Sequence, residues 1–423
     1  MKTIYKIVTL VTFCLVAINS YAQNKRIDWI HGLGGDATSW NSTADNYFAA
    51  RQIPTFTNGQ YATNNGVNTM VTEVGVTTTS SLNGTGIAIG HSMGGVAARQ
   101  LNISNSNRWT GIITLGAPLR GARIVNAVRD GEAQALINNA TIQLLRGPKA
   151  GSTLFVLNPV IGYLFISIAF WGSIYSNEVA ALVVNMLINK LSLTPTTIAD
   201  LSPEGAYMTG IVSQTAPKPK INIWGSETNP LLWRLIGTFT QGDDEKGINT
   251  MNTIAGVYMI AADAEFAMSW ILFPAHAYFD WRGNEWGAGR DWVLNTSNDA
   301  WAQLIGAAYS QTVSGSTPKM ICDYNYYYSV CGTTANPDAC RAACWVSQPY
   351  SYTNYIKTES DGVVPASSQR NDGGAWRDVV LKAEGNINHQ EHLRWDRIEP
   401  TLNRVFDQNY DGANNVFRIN RRQ

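Results

Sequence analysis

The sequence has no excess of charge of either sign. Lys plus Arg and Asp plus Glu each number 31 in a chain of 423 residues. Removal of Lys2 and Lys6 with the N-terminal segment described below leaves 29 basic against 31 acidic residues, a net charge of −2. Proteins that bind nucleic acid usually carry a basic surface. We therefore expect no nucleic-acid partner.

The N-terminal segment Met1–Ala22 has the three parts of a secretory signal peptide. Two lysines give it a positive start, Ile7–Ile18 forms an apolar core, and small residues, Ser20 and Ala22, precede the cleavage site. We expect the mature chain to begin near Gln23 and to be exported, either to a periplasm or out of the cell. The apolar core is short for a membrane span, so an N-terminal anchor is the less favoured alternative.

Cysteine is scarce and confined to two places. One cysteine, Cys14, lies in the signal segment, and the other four are Cys322, Cys331, Cys340 and Cys344. An even number in a short window of an exported chain predicts two disulfide bonds that staple a loop, with three possible pairings. A metal site is the alternative. Successive cysteines are separated by eight, eight and three residues, which is not the paired C-x-x-C of a zinc site, so we predict no metal.

One long stretch has no charged residue, the 28 positions Ala150–Asn177, and its apolar character continues after Glu178 through Val179–Asn189. By length it could span a membrane. Pro159 and several glycines interrupt it, which disfavours a span. We favour a lid or cap of apolar helices over a buried helical hairpin, and either over a transmembrane segment.

Three β-prone segments each lead into a glycine-containing turn. Arg26–Ile30 precedes the sequence HGLGG, and Gly86–Gly90 leads into GHSMGG, which contains Ser92. The latter is a G-x-S-x-G pattern between a strand and a predicted helix at Val96–Leu101, the context that gives this pattern its catalytic meaning. Gly111–Pro118 predicts a further parallel strand, and ligands of such sheets bind at the carboxyl ends of the strands.

Together, HGLGG, GHSMGG and ITLGAP resemble the bacterial lipase and esterase branch of the α/β-hydrolase superfamily, and they are similar to related lipid deacylases that carry GHSMGG. The resemblance implies hydrolysis of acyl esters through a Ser–Asp–His triad with Ser92 as nucleophile. It also implies an oxyanion hole built from the backbone N–H groups of Met93, which follows the nucleophile, and of Leu33, which follows the HG pair. No cofactor is implied. Some lipases of this family bind a structural calcium ion, but we predict no calcium site here.

The remaining triad members should follow in the order acid, then histidine. The segment Ser360–Pro365 (SDGVVP) resembles the family's acid loop, which makes Asp361 the predicted acid. Asp378–Leu381 predicts a last strand, and His389 lies after it, before a segment whose apolar residues recur at helical spacing from Gln390 on. We therefore predict His389 as the base.

Each of these two assignments has an alternative. His392 lies about one turn into the predicted helix and is the other candidate base. Glu227 follows a predicted late strand, Lys220–Trp224, where some hydrolases carry their acid. Three further histidines have structural interpretations, namely His31 in the HG turn, His91 at the variable position of G-x-S-x-G, and His276 in an apolar stretch.

The predicted fold class is α/β, specifically an α/β-hydrolase fold with a mostly parallel, doubly wound sheet, large cap or lid insertions and a disulfide-stapled loop. We divide the chain into a signal peptide (1–22), a first part of the core (23–125), an apolar helical cap or lid (126–215), a possible core strand (216–238), a second, aromatic and cysteine-rich insertion (239–350), and a C-terminal part of the core with the acid and the histidine (351–423).

The sequence thus predicts an exported serine carboxylic-ester hydrolase, a lipase or esterase, that acts on hydrophobic or lipid-like esters and makes transient contact with a lipid interface. A serine acyltransferase or amidase shares the same triad chemistry, so it is one alternative. A catalytically silent hydrolase fold that binds a ligand at the cell surface is the other.

Overall fold

The computed structural model describes residues 25–51, 55–56, 59, 61–79, 86–105, 107–136, 139, 142, 193–227, 231–241, 243–271, 276–314, 319–322, 345–348, 351–410 and 415–419. The predicted signal peptide, the apolar stretch 150–189 and three of the clustered cysteines, Cys331, Cys340 and Cys344, lie outside these residues. The signal, lid and disulfide assignments therefore stay predictions.

A six-stranded sheet forms the centre of the protein, and each strand runs parallel to its neighbours. In chain order its strands are β1 (Ile27–Ile30), β2 (Thr55–Phe56), β3 (Ile87–His91), β4 (Gly111–Leu115), β5 (Lys220–Trp224) and β10 (Val379–Lys382). Their order across the sheet is β10-β5-β4-β3-β1-β2. Strands β1, β3, β4 and β5 are buried along their whole length, as expected for parallel strands covered on both faces. The predicted α/β class with a parallel sheet is confirmed.

Helices cover both faces of this sheet. Alternate strand residues such as Trp29, Ile89 and Ile223 share one core cluster with residues of α1 (Asn41–Arg51) and α12 (Trp395–Asp407). Successive side chains of a strand point to opposite faces, and α3 (Met93–Ser104) packs on the other face against β1, β3 and β4, with α2 (Val67–Thr79) beside it. Because these helices cover the faces of the sheet and not the ends of its strands, a site can form at the carboxyl ends of the strands.

The other helices, in chain order, are α4 (Arg123–Arg129), α5 (Pro195–Leu201), α6 (Ala206–Ile211), α7 (Leu231–Gln241), α8 (Asp244–Ile271), α9 (His276–Asp291), α10 (Ser297–Leu304) and the short α11 (Ala366–Gln369). Short 3-10 turns lie at Thr63–Asn65 and Glu391–Leu393, and a π-helical turn joins α9 to α10 at Trp292–Thr296. Helices α8 and α9 pack on each other around Trp286 and an Arg282–Glu265 ion pair of 2.9 Å. No helix in the described ranges combines the length and the apolar character needed to cross a bilayer.

Residues Ala308–Lys357 form a separate small unit. Strand β6 (Ala308–Ser314) pairs antiparallel with β9 (Ser351–Lys357), and β7 (Lys319–Cys322) pairs antiparallel with β8 (Trp345–Gln348). Of the four clustered cysteines, the structure describes the backbone of Cys322 alone, opposite Trp345 in the β7–β8 ladder.

Three predicted boundaries shift in the structure. The C-terminal part of the core begins at Thr358 rather than at 351, because 351–357 is the strand that pairs with β6 in the small unit. The last sheet strand is Val379–Lys382, one residue later than predicted. His392 does not lie within an α-helix. It sits in the 3-10 turn Glu391–Leu393, and the α-helix begins at Trp395, since Arg394 has an extended backbone (φ −86°, ψ 127°).

Candidate active site

Ser92 lies on the sharp turn between β3 and α3, at the carboxyl edge of the sheet. Its backbone has φ 52° and ψ −129°, a conformation that side-chain-bearing residues rarely adopt. The Ser92 N–H donates to the Leu115 carbonyl (3.0 Å), and the Ser92 carbonyl accepts from Gly95 N–H (2.9 Å). The turn is thus strained but held by its neighbours, which is how strain persists at functional sites.

Two glycines allow the chain to close around this turn. A Cβ added to Gly94 would lie 2.5 Å from the Ile30 carbonyl oxygen, and one added to Gly32 would lie 2.6 Å from the Ser92 Cβ. Atoms cannot approach so closely, so only glycine lets the end of β1 touch the serine turn. The HG pair and the G-x-S-x-G pattern therefore belong to one packed unit.

His389 connects Ser92 to Asp361 through its two ring nitrogens. His389 Nε2 is 3.0 Å from Ser92 Oγ, and His389 Nδ1 is 2.7 Å from Asp361 Oδ2. A carboxylate only accepts hydrogen bonds, so Nδ1 carries the proton and Nε2 accepts from the serine hydroxyl. The structure brings together the three residues that the sequence singled out for the triad, in the geometry of a nucleophile, a base and an orienting acid.

Asp361 is completely buried and its carboxylate is fully engaged. The oxygen that does not face His389, Oδ1, accepts the backbone N–H groups of Val363 (3.0 Å) and Val364 (2.7 Å). Gly362, between them and the aspartate, has φ 90°, a left-handed conformation that lets the loop fold back over its own side chain. The DGVV segment is therefore a turn that holds one carboxylate rigidly.

The backbone of His389 is fixed as well as its ring. The His389 N–H donates to the Asp361 carbonyl (2.8 Å), and the His389 carbonyl accepts from His91 Nε2–H (2.8 Å). Burial is the main cause that lowers the pKa of His91 well below its usual value, so His91 is neutral at pH 7. The variable residue of G-x-S-x-G thereby ties the predicted base, His389, to the Ser92 turn, a contact that no pattern in the sequence predicts.

The segment that follows β1 is pinned by residues of 59–65. The His31 N–H donates to Tyr61 Oη (3.1 Å), and the Gly34 N–H donates to Thr63 Oγ1 (3.1 Å). The His31 ring stacks on Tyr61 with centroids 4.2 Å apart. Leu33, a predicted oxyanion residue, lies between these two fixed points. The other, Met93, is the first residue of α3, and the first N–H of a helix has no acceptor within it.

The two alternative triad members occupy other positions. Glu227 is buried, and its Oε1 is 2.9 Å from Arg234 Nη1, so its charge is balanced by a cation. His392 is also buried, with its Nε2 3.9 Å from Asp361 Oδ2, the oxygen that binds His389. Neither residue has a contact with Ser92 like that of His389. The side chain of His276 lies outside the described residues.

A pocket opens beside Ser92 and His389. Its wall is largely apolar and comes from the loops after β1 and β4, from α4 and α5, and from the acid loop, and it includes Leu33, Pro118, Ile124, Val125, Leu193 and Val364. Such a lining suits the hydrocarbon part of a ligand. Within the described parts of the chain, no group of three or more His, Cys, Asp or Glu side chains is arranged to hold a metal ion.

Sequence reasoning missed the residues that hold the site from outside the motifs. Tyr61 and Thr63 lie in a polar segment without a recognisable pattern, and Arg234 lies on the amphipathic helix α7. No local pattern in the sequence identifies these contacts. Those of Tyr61 and Thr63 join positions 30 and 29 apart, and the Arg234–Glu227 pair joins the segment after β5 to α7. Only the position of His91, next to the serine, could have suggested its role.

No protein-family model and no curated protein matches the sequence. An extracellular α/β-hydrolase from a Paenibacillus species is 21% identical over 27% of this chain and 52% of that chain, with a TM-score of 0.22. A mature lipase of Bacillus licheniformis is 11% identical over 52% of this chain and 74% of that chain, with a TM-score of 0.32. An N-acyl homoserine lactone degrading enzyme is 15% identical over 48% of this chain and 75% of that chain, with a TM-score of 0.26.

The chain thus spans about half of the length of the first of these structures. Every identity among these three is below 25%, and every TM-score is below 0.5. These similarities therefore do not establish a function for this chain, and the chemical interpretation rests on the geometry of Ser92, His389 and Asp361.

Proposed function

We propose that this protein is an exported serine hydrolase of the α/β-hydrolase superfamily that cleaves carboxylic esters. The observation that carries the proposal is the continuous hydrogen-bonded chain from Ser92 Oγ through His389 to Asp361 Oδ2, with distances of 3.0 and 2.7 Å. A serine hydroxyl is a weak nucleophile until a base removes its proton, and His389 Nε2 is placed to do so.

In the proposed reaction Ser92 Oγ attacks the acyl carbonyl while His389 accepts its proton. The protonated ring then donates that proton to the leaving alcohol, and an acyl-enzyme remains. Water, activated by His389 in the same way, hydrolyses the acyl-enzyme. Asp361 stays ionised, holds the Nδ1–H tautomer and stabilises the positive ring. The backbone N–H groups of Met93 and Leu33 are the proposed oxyanion donors, and loss of one such donor typically lowers turnover by about 100- to 1,000-fold.

The apolar pocket beside Ser92 favours a hydrophobic acyl group. Leu33, Val125 and Val364 line it, and no Asp, Glu, Lys or Arg side chain is among its described lining residues. We therefore propose hydrophobic or lipid-like esters as the substrate class, with contact to a lipid interface during turnover. Neither a metal ion nor an organic cofactor is required by this chemistry.

The test is hydrolysis of p-nitrophenyl esters with acyl chains of two to sixteen carbons, by the mature chain and by Ser92→Ala. We expect measurable turnover in the wild-type chain and a loss of about 10⁶-fold in kcat for the variant, since removal of the nucleophile removes the covalent route. A preference for longer chains would support lipid-like substrates. A fluorophosphonate probe should label the wild-type chain at Ser92 and leave the variant unlabelled.

The same assay separates the alternatives. Turnover of amides at a rate comparable to esters would indicate an amidase, and acyl transfer to an added alcohol in preference to water would indicate an acyltransferase. Folded protein that neither turns over any ester nor reacts with the probe would contradict the proposal and leave a silent binding fold.

A further inference from the structure

His392 is a buried histidine that the proposed reaction does not use. Its side chain has no exposed surface, and neither of its ring nitrogens makes a hydrogen bond within the described residues. A buried polar group without a partner is costly, so a histidine at such a position calls for a physical reason. Its Nε2 lies 3.9 Å from Asp361 Oδ2, the oxygen that accepts the His389 proton.

The main chain provides a slot for this ring beside the acid. A Cβ added to Gly116, after β4, would lie 2.8 Å from His392 Cδ2 and 3.0 Å from Asp361 Oδ2. A Cβ added to Gly225, after β5, would lie 2.7 Å from His392 Nε2. Both strand ends therefore lack the side chains that would otherwise fill the space, and the imidazole occupies it with Nε2 3.9 Å from the carboxylate oxygen.

The ring in this slot is uncharged. Burial is the main cause that lowers the pKa of His392 to about 3, and repulsion by His389 adds to it. The titratable groups that face it are Asp361 on the acid loop, His389 on its own loop and His91 at the end of β3, whose ring centroid is 6.1 Å away. The neighbouring Glu391 carboxylate is instead directed to the Asn388 N–H and to Arg397.

We propose that His392 is a positioning residue for Asp361. The neutral Nε2–H of His392 faces Asp361 Oδ2 from a second direction, excludes water from that oxygen and keeps it directed at His389 Nδ1. This inference rests on the proposed function. A carboxylate only accepts hydrogen bonds, so the favourable tautomer of His392 carries its proton on Nε2. The positive end of this N–H dipole stabilises the ionised acid and opposes addition of a proton to His389.

The test compares His392→Leu, which removes the N–H at similar volume, with His392→Gln, which keeps an N–H donor. The measurement is kcat and KM for a p-nitrophenyl ester from pH 5 to 9. We expect the acid limb of kcat/KM to move upward by about 0.5 pH unit in His392→Leu, with kcat lowered by about 3- to 10-fold and KM unchanged. The Gln variant should keep the wild-type limb.

A purely structural role predicts a different pattern. If the acid limb of the kcat/KM profile lies at the same pH in the wild type and both variants, the proposal is overturned. The same holds if His392→Gln shifts that limb as much as His392→Leu does, even if both variants are less stable. Selective ¹⁵N-histidine NMR of the full wild-type chain tests it without any variant or any turnover. A neutral His392 with its proton on Nε2 from pH 6 to 8 is expected, whereas an Nδ1–H tautomer or a charged ring would contradict it.

Discussion

Two buried carboxylates lie on adjoining segments, and they differ in whether a positively charged side chain faces them. Glu227 follows β5 and Asp361 lies in the acid loop, and the Glu227 N–H donates to the Ser360 carbonyl (2.6 Å), so the two segments touch. Glu227 faces the guanidinium of Arg234 at 2.9 Å. Asp361 faces two backbone N–H groups and the ring of His389.

This difference shows what qualifies a buried carboxylate as the orienting acid. A carboxylate paired with a guanidinium has its charge balanced before the reaction begins, so it gains little when a histidine nearby becomes positive. A carboxylate held only by N–H groups keeps its negative charge available for the imidazolium that forms during catalysis. The environment of Asp361, and not only its place in the chain, favours it as the triad acid.

The strongest test of this comparison is Asp361→Asn. The amide keeps the size of the carboxyl group, but it presents an N–H₂ or a neutral oxygen to His389, which favours the wrong tautomer and no longer stabilises the positive ring. We expect kcat to fall by about 10⁴-fold with KM little changed. Steady-state hydrolysis of a p-nitrophenyl ester measures both, and circular dichroism checks that the variant is folded. A loss below tenfold would remove Asp361 from the triad.

The second test removes the cation from the other carboxylate. Arg234→Met breaks a buried ion pair, so we expect a loss of about 3 to 5 kcal/mol in the free energy of unfolding, measured by denaturant titration. Activity per folded molecule should stay within tenfold of the wild type, because neither residue belongs to the proposed triad. The matched control is Glu227→Gln/Arg234→Met, which should recover much of the stability. A 10⁴-fold activity loss in Glu227→Gln would make Glu227 the acid.

A third buried carboxylate extends the comparison to pH. Asp28, in β1, accepts the Trp109 indole N–H (2.7 Å), and burial raises its pKa from 3.8 to about 6 despite the nearby Arg26. The pKa of Asp28 is higher in the folded than in the unfolded state. The contribution of the Asp28 carboxyl group to stability is therefore complete below pH 3.8 and is lost as the pH rises through about 6.

We therefore expect Asp28→Asn to gain stability relative to the wild type between pH 4 and 7, by about 2 to 3 kcal/mol in total, with ester turnover unchanged. Unfolding free energies measured at pH 4, 5, 6 and 7 give the difference directly. A constant offset between the two proteins across this range would show that Asp28 does not titrate with folding.

The core of the site could be predicted because its parts are local patterns in the chain. A buried strand, a glycine turn and a helix around Ser92 all lie within Ile87–Ser104, and Asp361 and His389 follow in the order that the fold requires. The five sheet strands that the sequence predicted were placed to within three residues for the same reason, since a short apolar run between turn residues has few alternatives, whereas β2 was not predicted.

The rest of the site depends on contacts between distant segments, which no local pattern encodes. His91 to the His389 carbonyl spans 298 positions, and Tyr61 to the His31 N–H spans 30. The small unit was missed as a unit because β6 and β9 pair across a segment whose cysteines suggested a stapled loop. His392 was placed in a helix because helical spacing continues through a 3-10 turn, which has nearly the same period over three residues.

The positive φ of Ser92 has a consequence for how this protein changes under selection. At φ 52° and ψ −129° glycine fits better than any other residue, and relief of such strain is worth about 1 to 3 kcal/mol. A library of variants sorted only for resistance to heat or proteases would therefore enrich glycine at position 92 and discard the proposed nucleophile. The residue that folds best here is one that does no chemistry, so serine persists only where turnover itself is selected.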